Sequence, residues 1–257
     1  MATVTYQRDD SVAQISISRT ERRNALNHTA LEELHECVSR SRDDGIRSVV
    51  VTGEGGHFCA GADLTELEDQ AFTDALREAL DDLAALPVPT IAAIAGSCMG
   101  LGVQLALACD LRVATPDARF AVPVAKLGLM VDHWTVQRLA LNAGHSTARW
   151  MLLTAEPISA GHAADVGLIQ RLIEPETDDP GAEVLADATR LAQNIAKLAP
   201  LALAGSKLGL DLLERSAGES DPHGEYRAAF DRAWASEDLT EGRRAFGDRR
   251  APEFRGA

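Results

Sequence analysis

From Val88 to Cys109 the chain carries no charged residue, so this stretch has to be buried in a membrane or in a protein core. A membrane-spanning helix needs about 20 apolar residues, and length alone permits one here. Prolines at 87 and 89 open the stretch, however, and glycines at 96, 100 and 102 interrupt it. Because proline and glycine break regular structure, the pattern predicts a buried strand over Thr90–Ala95, a glycine-rich turn and a short buried helix over Gly102–Ala108.

Strands and helices alternate along the chain on both sides of this stretch. Period-2 alternation predicts an antiparallel pair over Val4–Tyr6 and Val12–Ser18, and continuous apolar runs predict buried strands over Ser48–Gly53 and Leu111–Ala114. This alternation indicates an α/β domain over residues 1–174, followed by a helical region over 175–257. The remaining expected elements are helices over Thr29–Ser41, Phe72–Leu83, Gln137–Ala143, Ser146–Leu153 and Ser159–Val166, a strand over Leu168–Ile173 and a linker at Glu174–Pro180.

Composition excludes several classes of function. The net charge of −14 over 257 residues argues against a nucleic-acid partner, which requires clustered basic side chains. The four cysteines lie in unrelated contexts without a CxxC motif or a histidine cluster, so we expect reduced thiols, no metal site and a cytoplasmic protein. The N-terminal residues MATVTYQRDD also lack the basic segment and apolar core of a signal peptide.

Two glycine-containing turns follow predicted buried strands, FCAGADL at 58–64 and GSCMGLG at 96–102. Neither matches the GxGxxG or GxxxxGK[ST] pattern of nucleotide-binding loops. Each is explained either as an ordinary turn or as a segment that aims backbone N–H groups at a ligand. Two such turns at strand ends of one α/β domain favour the second interpretation, because convergent N–H donors stabilise an oxyanion.

Several motifs in this order resemble the crotonase superfamily, the enoyl-CoA hydratase/isomerase family. They cover nearly the whole chain and are RRNAL at 22–26, FxAGAD at 58–63, GxxxGxGxxLxxxxD at 96–110, LGL at 127–129 with QRL at 137–139, ISA and GLI at 158–169, and EG with AF at 241–246. The resemblance implies a spiral of ββα units with a C-terminal helical region that forms trimers, often paired into hexamers. It also implies a fatty acyl-CoA thioester as ligand and no further cofactor.

The same resemblance assigns roles to individual residues. The N–H groups of Ala60 and Leu101 are expected to form the oxyanion hole around the thioester carbonyl. Phe246 and Arg249 are expected to reach the coenzyme from a neighbouring subunit. The remaining coenzyme contacts implied by the family are Arg22 near the phosphates and Ala25, Gly61, Ala62, Asp63 and Leu64 along the adenine and pantetheine path.

Two positions depart from the hydratase pattern. Family hydratases add water with two glutamates, and this chain carries Gln104 and Val124 at those positions. An amide orients water but exchanges no proton near neutral pH, and an isopropyl group does neither. We therefore expect a protein that binds acyl-CoA with little or no hydratase turnover.

Asp132 keeps an alternative open, because family isomerases move a proton with an aspartate in this loop. It is interpreted either as that base or as the N-cap of the helix that follows. The neighbouring Trp134 and His133 are candidates for the wall of the acyl pocket, with a core tryptophan and a surface histidine as the plainer alternatives. Three functions stay open, namely an acyl-CoA-binding protein without turnover, an enoyl-CoA isomerase, and a hydratase with a rearranged acid and base.

Overall fold

A six-stranded sheet forms the centre of the computed structural model, which describes residues 2–64, 70–218, 228, 231–232 and 234–253. Its strands are β1 (Val4–Asp9), β2 (Val12–Ile17), β3 (Ser48–Gly53), β4 (Thr90–Ile94), β6 (Leu111–Ala114) and β9 (Arg171–Leu172), in the order β1-β2-β3-β4-β6-β9. The β1–β2 pair is antiparallel, and every other pair in this sheet is parallel. Parallel pairs need crossover connections, which the helices between the strands supply.

A second, smaller sheet lies beside the first. Its strands are β5 (Ser97–Met99), β7 (Arg119–Ala121) and β8 (Ile158–Ser159), in the order β5-β7-β8. The β5–β7 pair is parallel and the β7–β8 pair antiparallel. The chain therefore alternates between the sheets, with β4 followed by β5 and β6 followed by β7.

The helices described along the chain are eight α-helices and two short 3-10 helices, the latter at Thr20–Arg22 and Pro123–Leu127. Most helices follow a strand of the second sheet or cross between strands of the first. Their bounds are α1 (His28–Asp43), α2 (Gln70–Ala84), α3 (Leu101–Ala108), α4 (His133–Thr154), α5 (Ala160–Asp165), α6 (Pro180–Ala196), α7 (Pro200–Gly218) and α8 (Glu237–Gly247).

Both faces of the central strands are buried, as the continuous apolar runs predict. In β3, Val49 and Val51 belong to the main core, whereas Val50 between them packs into a second cluster. That second cluster contains Val184 and Ala188 of α6, so the helical region after residue 174 covers one face of the sheet. Alternation of side chains along a strand explains why neighbouring valines enter different cores.

Most predicted elements are confirmed, with differences that have physical reasons. The bounds of β3 and β6 agree with the sequence prediction. The two helices expected over Gln137–Ala143 and Ser146–Leu153 correspond to the two halves of α4. A kink at Gly144 separates these halves, since its φ of 75° and ψ of 152° are not helical. The strand expected over Leu168–Ile173 is shortened to β9, and the glycine-rich turn contains β5.

No helix in the described part of the chain is long and apolar enough to span a membrane. The uncharged stretch is instead divided among β4, β5 and α3, and it is buried over nearly its whole length from Thr90 to Cys109.

Candidate functional site

The two glycine-containing turns meet at one place because their segments pair with each other. The N–H of Cys59 donates to the carbonyl of Ser97, and the N–H of Met99 donates to the carbonyl of Cys59, both at 2.9 Å. Cys59 is thereby in parallel register with Cys98 of β5. Ala62 lies three residues after Cys59 on the first turn, and Leu101 lies three residues after Cys98 on the second turn, so the two occupy matched positions.

Only one of the two expected oxyanion donors is available in the structure. The N–H of Ala60 donates to the carbonyl of Arg23 at 3.0 Å, which argues against its donating to a ligand. Ala62 forms an isolated parallel β-bridge with Leu26. The N–H of Leu26 donates to the carbonyl of Gly61, and the N–H of Asp63 donates to the carbonyl of Leu26, so the bridge does not use the N–H of Ala62. Within the described ranges, the N–H groups of Ala62 and Leu101 donate to no protein acceptor.

Glycines allow the second turn to approach the first so closely. Gly100, the N-cap of α3, has φ 52° and ψ −112°, a left-handed conformation that residues with a Cβ rarely adopt. A Cβ on Gly102 would lie 2.2 Å from the carbonyl oxygen of Cys59. Leu101 is the first residue of α3, where N–H groups lack helical acceptors and the helix dipole favours negative charge.

A cavity of about 1120 Å³ opens beside these N–H groups. Helix α8 closes one side of it, and Gly242 is required there because a Cβ would lie 2.4 Å from the carbonyl oxygen of Leu127. The wall away from the two turns is mostly apolar. Its side chains include Phe72, Leu76, Leu127, Leu129, Met130 and Val131.

Most residues singled out from the sequence line this cavity, and two do not. Arg249 is not among the lining residues, whereas its neighbour Arg250 is. Trp134 also lies outside the lining, and the guanidinium carbons of Arg77 and Arg138 stand 4.2 and 4.8 Å from its ring centroid. The predicted residues that line the cavity are Arg22, Ala25, Ala60, Gly61, Ala62, Asp63, Leu64, Leu101, Gln104, Val124, Asp132, His133 and Phe246.

Gln104 and Val124, at the positions of the two family glutamates, both lie in the cavity wall. Gln104 lies on α3 with 7% of its surface exposed, and its Oε1 has no hydrogen-bond partner among the described residues. Val124 belongs to the 3-10 helix Pro123–Leu127 and packs against the main core. Of the described lining residues, none is a glutamate.

Asp132 caps a helix and also faces the cavity. Its Oδ1 accepts from the N–H of Thr135 at 2.7 Å, so the N-cap interpretation is confirmed. Its Oδ2 lies 3.2 Å from Nη1 of Arg77. Both oxygens are therefore engaged, and proton transfer by this carboxylate would require one of these contacts to be released.

Sequence reasoning missed the ion pair that holds the first turn. Arg19 Nη2 lies 3.0 Å from Asp63 Oδ2, with only 11% and 8% of the two side chains exposed, and Arg19 Nη1 also donates to the carbonyl of Ala25. No motif marked Arg19, because it precedes the RRNAL segment. The pair fixes the loop before α1 against the residues that follow Ala62.

Three cationic side chains line the cavity near its exposed rim. Arg250 is bound to Glu241 through two contacts of 2.6 and 2.9 Å, and Lys126 lies 3.6 Å from Glu156. Arg22 is exposed and makes no ion pair with a described residue. Phe246, 60% exposed, lines the cavity of its own chain, whereas the prediction placed it at a neighbouring subunit.

The cysteines near the turns are unsuited to nucleophilic chemistry. Burial raises the pKa of Cys59 to about 12 and holds that of Cys98 well above its usual value. A thiol that stays protonated is a poor nucleophile and metal ligand. Across the described residues, no cluster of three His, Cys, Asp or Glu side chains is arranged to hold a metal ion.

Successive ββα turns that bring two peptide N–H groups to the wall of one large cavity define a crotonase-type fold. The chain belongs to the enoyl-CoA hydratase/isomerase family, whose family model matches residues 7–257.

Relatives of known sequence extend over nearly the full chain. A probable enoyl-CoA hydratase, echA6, of Mycobacterium tuberculosis (strain CDC 1551 / Oshkosh) is 39% identical over 249 residues, which are 96% of this chain and 97% of the relative. The 2,3-dehydroadipyl-CoA hydratase of Escherichia coli (strain K12) is 34% identical over 261 residues and covers 100% of both chains.

A solved structure shares the fold closely. Methylmalonyl-CoA decarboxylase in complex with 2-nitronate-propionyl-CoA superposes with a TM-score of 0.89 at 26% identity, over 99% of each chain.

Proposed function

We propose that the protein binds a fatty acyl-CoA thioester, with the thioester carbonyl between the N–H groups of Ala62 and Leu101. The unsatisfied donors at matched positions of two paired turns carry this proposal, since convergent N–H groups stabilise a carbonyl oxygen that gains negative charge. The related 2,3-dehydroadipyl-CoA hydratase is named for a CoA derivative, and the neighbouring decarboxylase was solved in complex with 2-nitronate-propionyl-CoA. The role first expected of Ala60 moves to Ala62.

A matched pair of variants tests the donor at Leu101. Proline is tolerated at the first residue of a helix and lacks an N–H, so Leu101→Pro removes the donor that Leu101→Ala retains. Both variants lose the leucine side chain. We expect calorimetry to show weaker acyl-CoA binding for the proline variant than for the alanine variant, by up to about tenfold. Equal affinities would remove Leu101 from the proposal.

The rest of the coenzyme would run from the two turns to the rim of the cavity. Arg22 would meet the phosphates, supported by its exposed guanidinium, and Ala25, Gly61, Asp63 and Leu64 would line the adenine and pantetheine path. Phe246 and Arg250 would contact the coenzyme from α8 and the residues after it. Arg249 is left out because it does not line the cavity.

We further propose that hydratase turnover is weak or absent. The observation that carries this is the neutral pair Gln104 and Val124 in the wall, since a positioned acid or base contributes about 10²–10⁴-fold. Of the lining carboxylates in the described ranges, Asp63 and Asp132 are ion-paired, and Asp74 and Asp231 are exposed. An absorbance assay with crotonyl-CoA tests this. Turnover of about 1–10³ per second would show a hydratase with a rearranged acid and base.

Asp132 supports a second candidate, enoyl-CoA isomerase, because its carboxylate lines the same cavity. Double-bond migration is measured with 3-enoyl-CoA on the wild type and on Asp132→Asn. Asparagine is also a good N-cap, so α4 stays capped while the base is lost. Migration that disappears in the variant would establish the isomerase, and migration that persists would exclude Asp132 from it.

Assembly into trimers or hexamers is also proposed. Exposed leucines on α7 support it, with 87% of Leu201, 63% of Leu210 and 68% of Leu213 accessible, since large exposed apolar patches mark interaction surfaces. Light scattering distinguishes monomer, trimer and hexamer. We also propose a cytoplasmic location, supported by four buried free cysteines that are typical of reducing compartments.

A further inference from the structure

The pairing between β5 and the segment over residues 57–59 is irregular at Gly96. The N–H of Cys59 donates to the carbonyl of Ser97, but the N–H of Phe58, one residue earlier, donates to the carbonyl of Ala95 at 2.8 Å. A step of one residue on one segment therefore matches a step of two on the other, as in a β-bulge. Gly96 lies between the two acceptors, and its φ of 55° is a conformation that favours glycine.

A side chain completes the pairing beside this irregularity. His57 Nδ1 accepts from the N–H of Ser97 at 3.1 Å. In a regular parallel ladder that N–H would donate to the carbonyl of residue 57, which here accepts from Asn24 Nδ2 at 2.6 Å. The fit is close, because a Cβ on Gly96 would lie 2.5 Å from His57 Nδ1. An imidazole nitrogen therefore takes the place of a peptide carbonyl between the two segments.

This contact lies on the chain segment that leads to one of the proposed donors. Ser97 begins β5, and Leu101 follows the end of that strand at the start of α3. The segment over 57–59 holds β5 through the N–H and carbonyl of Cys59 and through the imidazole of His57. Because a hydrogen bond weakens steeply with distance and angle, a small shift of β5 would separate the N–H of Leu101 from that of Ala62.

We propose that His57 is a positioning residue, whose neutral imidazole holds β5 where the N–H groups of Ala62 and Leu101 converge on the ligand. The inference rests on the proposed function, since its effect is exerted on the bound thioester carbonyl. A neutral imidazole accepts at Nδ1 when its proton is on Nε2, whereas both nitrogens of an imidazolium are donors. Protonation would set an Nδ1–H against the N–H of Ser97, so the contact is lost when the ring becomes charged.

Charged groups lie on each segment around His57, and within the described ranges none of them forms an ion pair with it. They are Arg23 beside Asn24, Glu54 in the same loop, Asp117 and Arg119 before and in β7, and Asp179 at the start of α6. A change of pH therefore acts on the contact with Ser97 through the imidazole itself.

Calorimetric titration at about pH 8 and about pH 5 tests this, because histidine ordinarily changes its charge between these values. The probes are octanoyl-CoA and its thioether, S-octyl-CoA, which has the same phosphates and chain but no carbonyl. We expect the preference of the wild type for the thioester to fall by about two- to tenfold at the lower pH. A preference that does not change with pH would overturn the role of His57 and leave the proposed function intact. No preference at either pH would overturn both.

Variants assign the pH dependence to the residue. His57→Asn keeps an acceptor, since asparagine Oδ1 is as many bonds from Cα as histidine Nδ1, and it does not titrate, so the preference should be retained at both pH values. His57→Leu has no acceptor and should show the reduced preference at both. His162→Asn, at an exposed position on α5, is the control and should behave as the wild type. A pH dependence that survives in His57→Asn would assign it to another group, such as His133 in the cavity wall, and refute the inference.

Discussion

Replacing Gly102 by alanine tests whether the two turns have to touch. A Cβ at this position would lie 2.2 Å from the carbonyl oxygen of Cys59 and 3.0 Å from its Cβ, whereas ordinary contacts begin near 3.4 Å. Both atoms belong to Cys59, which pairs with β5. The carbonyl oxygen is part of the backbone and cannot move away by a side-chain rotation. The start of α3 must therefore separate from the first turn by about 1 Å.

That displacement has two consequences of different size. Overpacking of this kind costs about 1–3 kcal/mol of stability, which in a chain of this length lowers Tm by about 2–12 °C. A donor moved by about 1 Å from a distance near 2.9 Å no longer makes a hydrogen bond. The loss of one such bond is worth about 0.5–1.5 kcal/mol, or up to about tenfold in affinity.

Calorimetry with acyl-CoA and with free CoA separates these consequences, because free CoA has no thioester carbonyl. We expect Gly102→Ala to weaken acyl-CoA binding and to leave CoA binding within about twofold. Gly161→Ala is the control, since its added Cβ would meet only Ser159 Oγ at 4.0 Å, and alanine is the better helix former. Unchanged thioester affinity and Tm in Gly102→Ala would refute the close approach of the turns.

Three further predictions concern stability and reactivity. Arg19→Met removes the buried guanidinium that pairs with Asp63 and donates to the carbonyl of Ala25, and it should cost about 3–5 kcal/mol in urea unfolding. A change below about 1 kcal/mol would contradict the structural role of the pair. Burial opposes the ionisation of Glu33, but hydrogen bonds from the Thr3 hydroxyl and the N–H groups of Val4 and Thr3 hold its pKa below the ordinary 4.5. Glu33 therefore contributes to the free energy of unfolding above pH 4.5, and this contribution is lost as the pH falls through the lowered pKa. Glu33→Gln should reduce the fall of the urea midpoint with decreasing pH. An unchanged pH dependence of the midpoint would contradict this. Because burial raises the pKa of both Cys59 and Cys109 to about 12, Ellman's reagent should react slowly with native protein and with all four thiols after unfolding; rapid reaction of these thiols in the native state would show that they are accessible.

The larger elements were predictable because each contains enough residues for its pattern of apolar and polar side chains to be recognised in the sequence. β3 is apolar on both faces because one face packs into the main core and the other packs against α6. Its bounds were predicted from the apolar run SVVVTG. The strands β5, β7 and β8 contain only two or three residues each. A segment so short shows no periodicity, so the second sheet escaped sequence reasoning.

The second sheet was not predicted, and this explains why Ala60 was chosen over Ala62 as an oxyanion donor. Sequence reasoning found both turns and the chemistry of convergent N–H groups, and it chose Leu101. The choice between Ala60 and Ala62 depends on the parallel register of Cys59 with Cys98 and on the carbonyl of Arg23, which occupies the N–H of Ala60. Neither is visible without β5 and the left-handed residue Arg23, whose φ is 50°.

Residues distant in sequence account for the rest of the site. Trp134 was a candidate for the pocket wall with a core tryptophan as the alternative, and it packs against the main core. Arg77 from α2, distant in sequence, stacks on its ring, as does Arg138 one turn further along α4. Gly242 was noted only as part of a motif, although its lack of a side chain lets α8 rest on Leu127. Such contacts depend on how helices pack, which a single sequence does not specify.

The unsatisfied donors of the two turns are peptide groups, and this has an evolutionary consequence. Almost any side chain at positions 62 and 101 leaves a main-chain N–H in place, whereas the groups at 104, 124 and 132 change with a single codon. A lineage that drifts at those three positions would keep its hold on one kind of ligand while gaining, losing or exchanging the reaction performed on it.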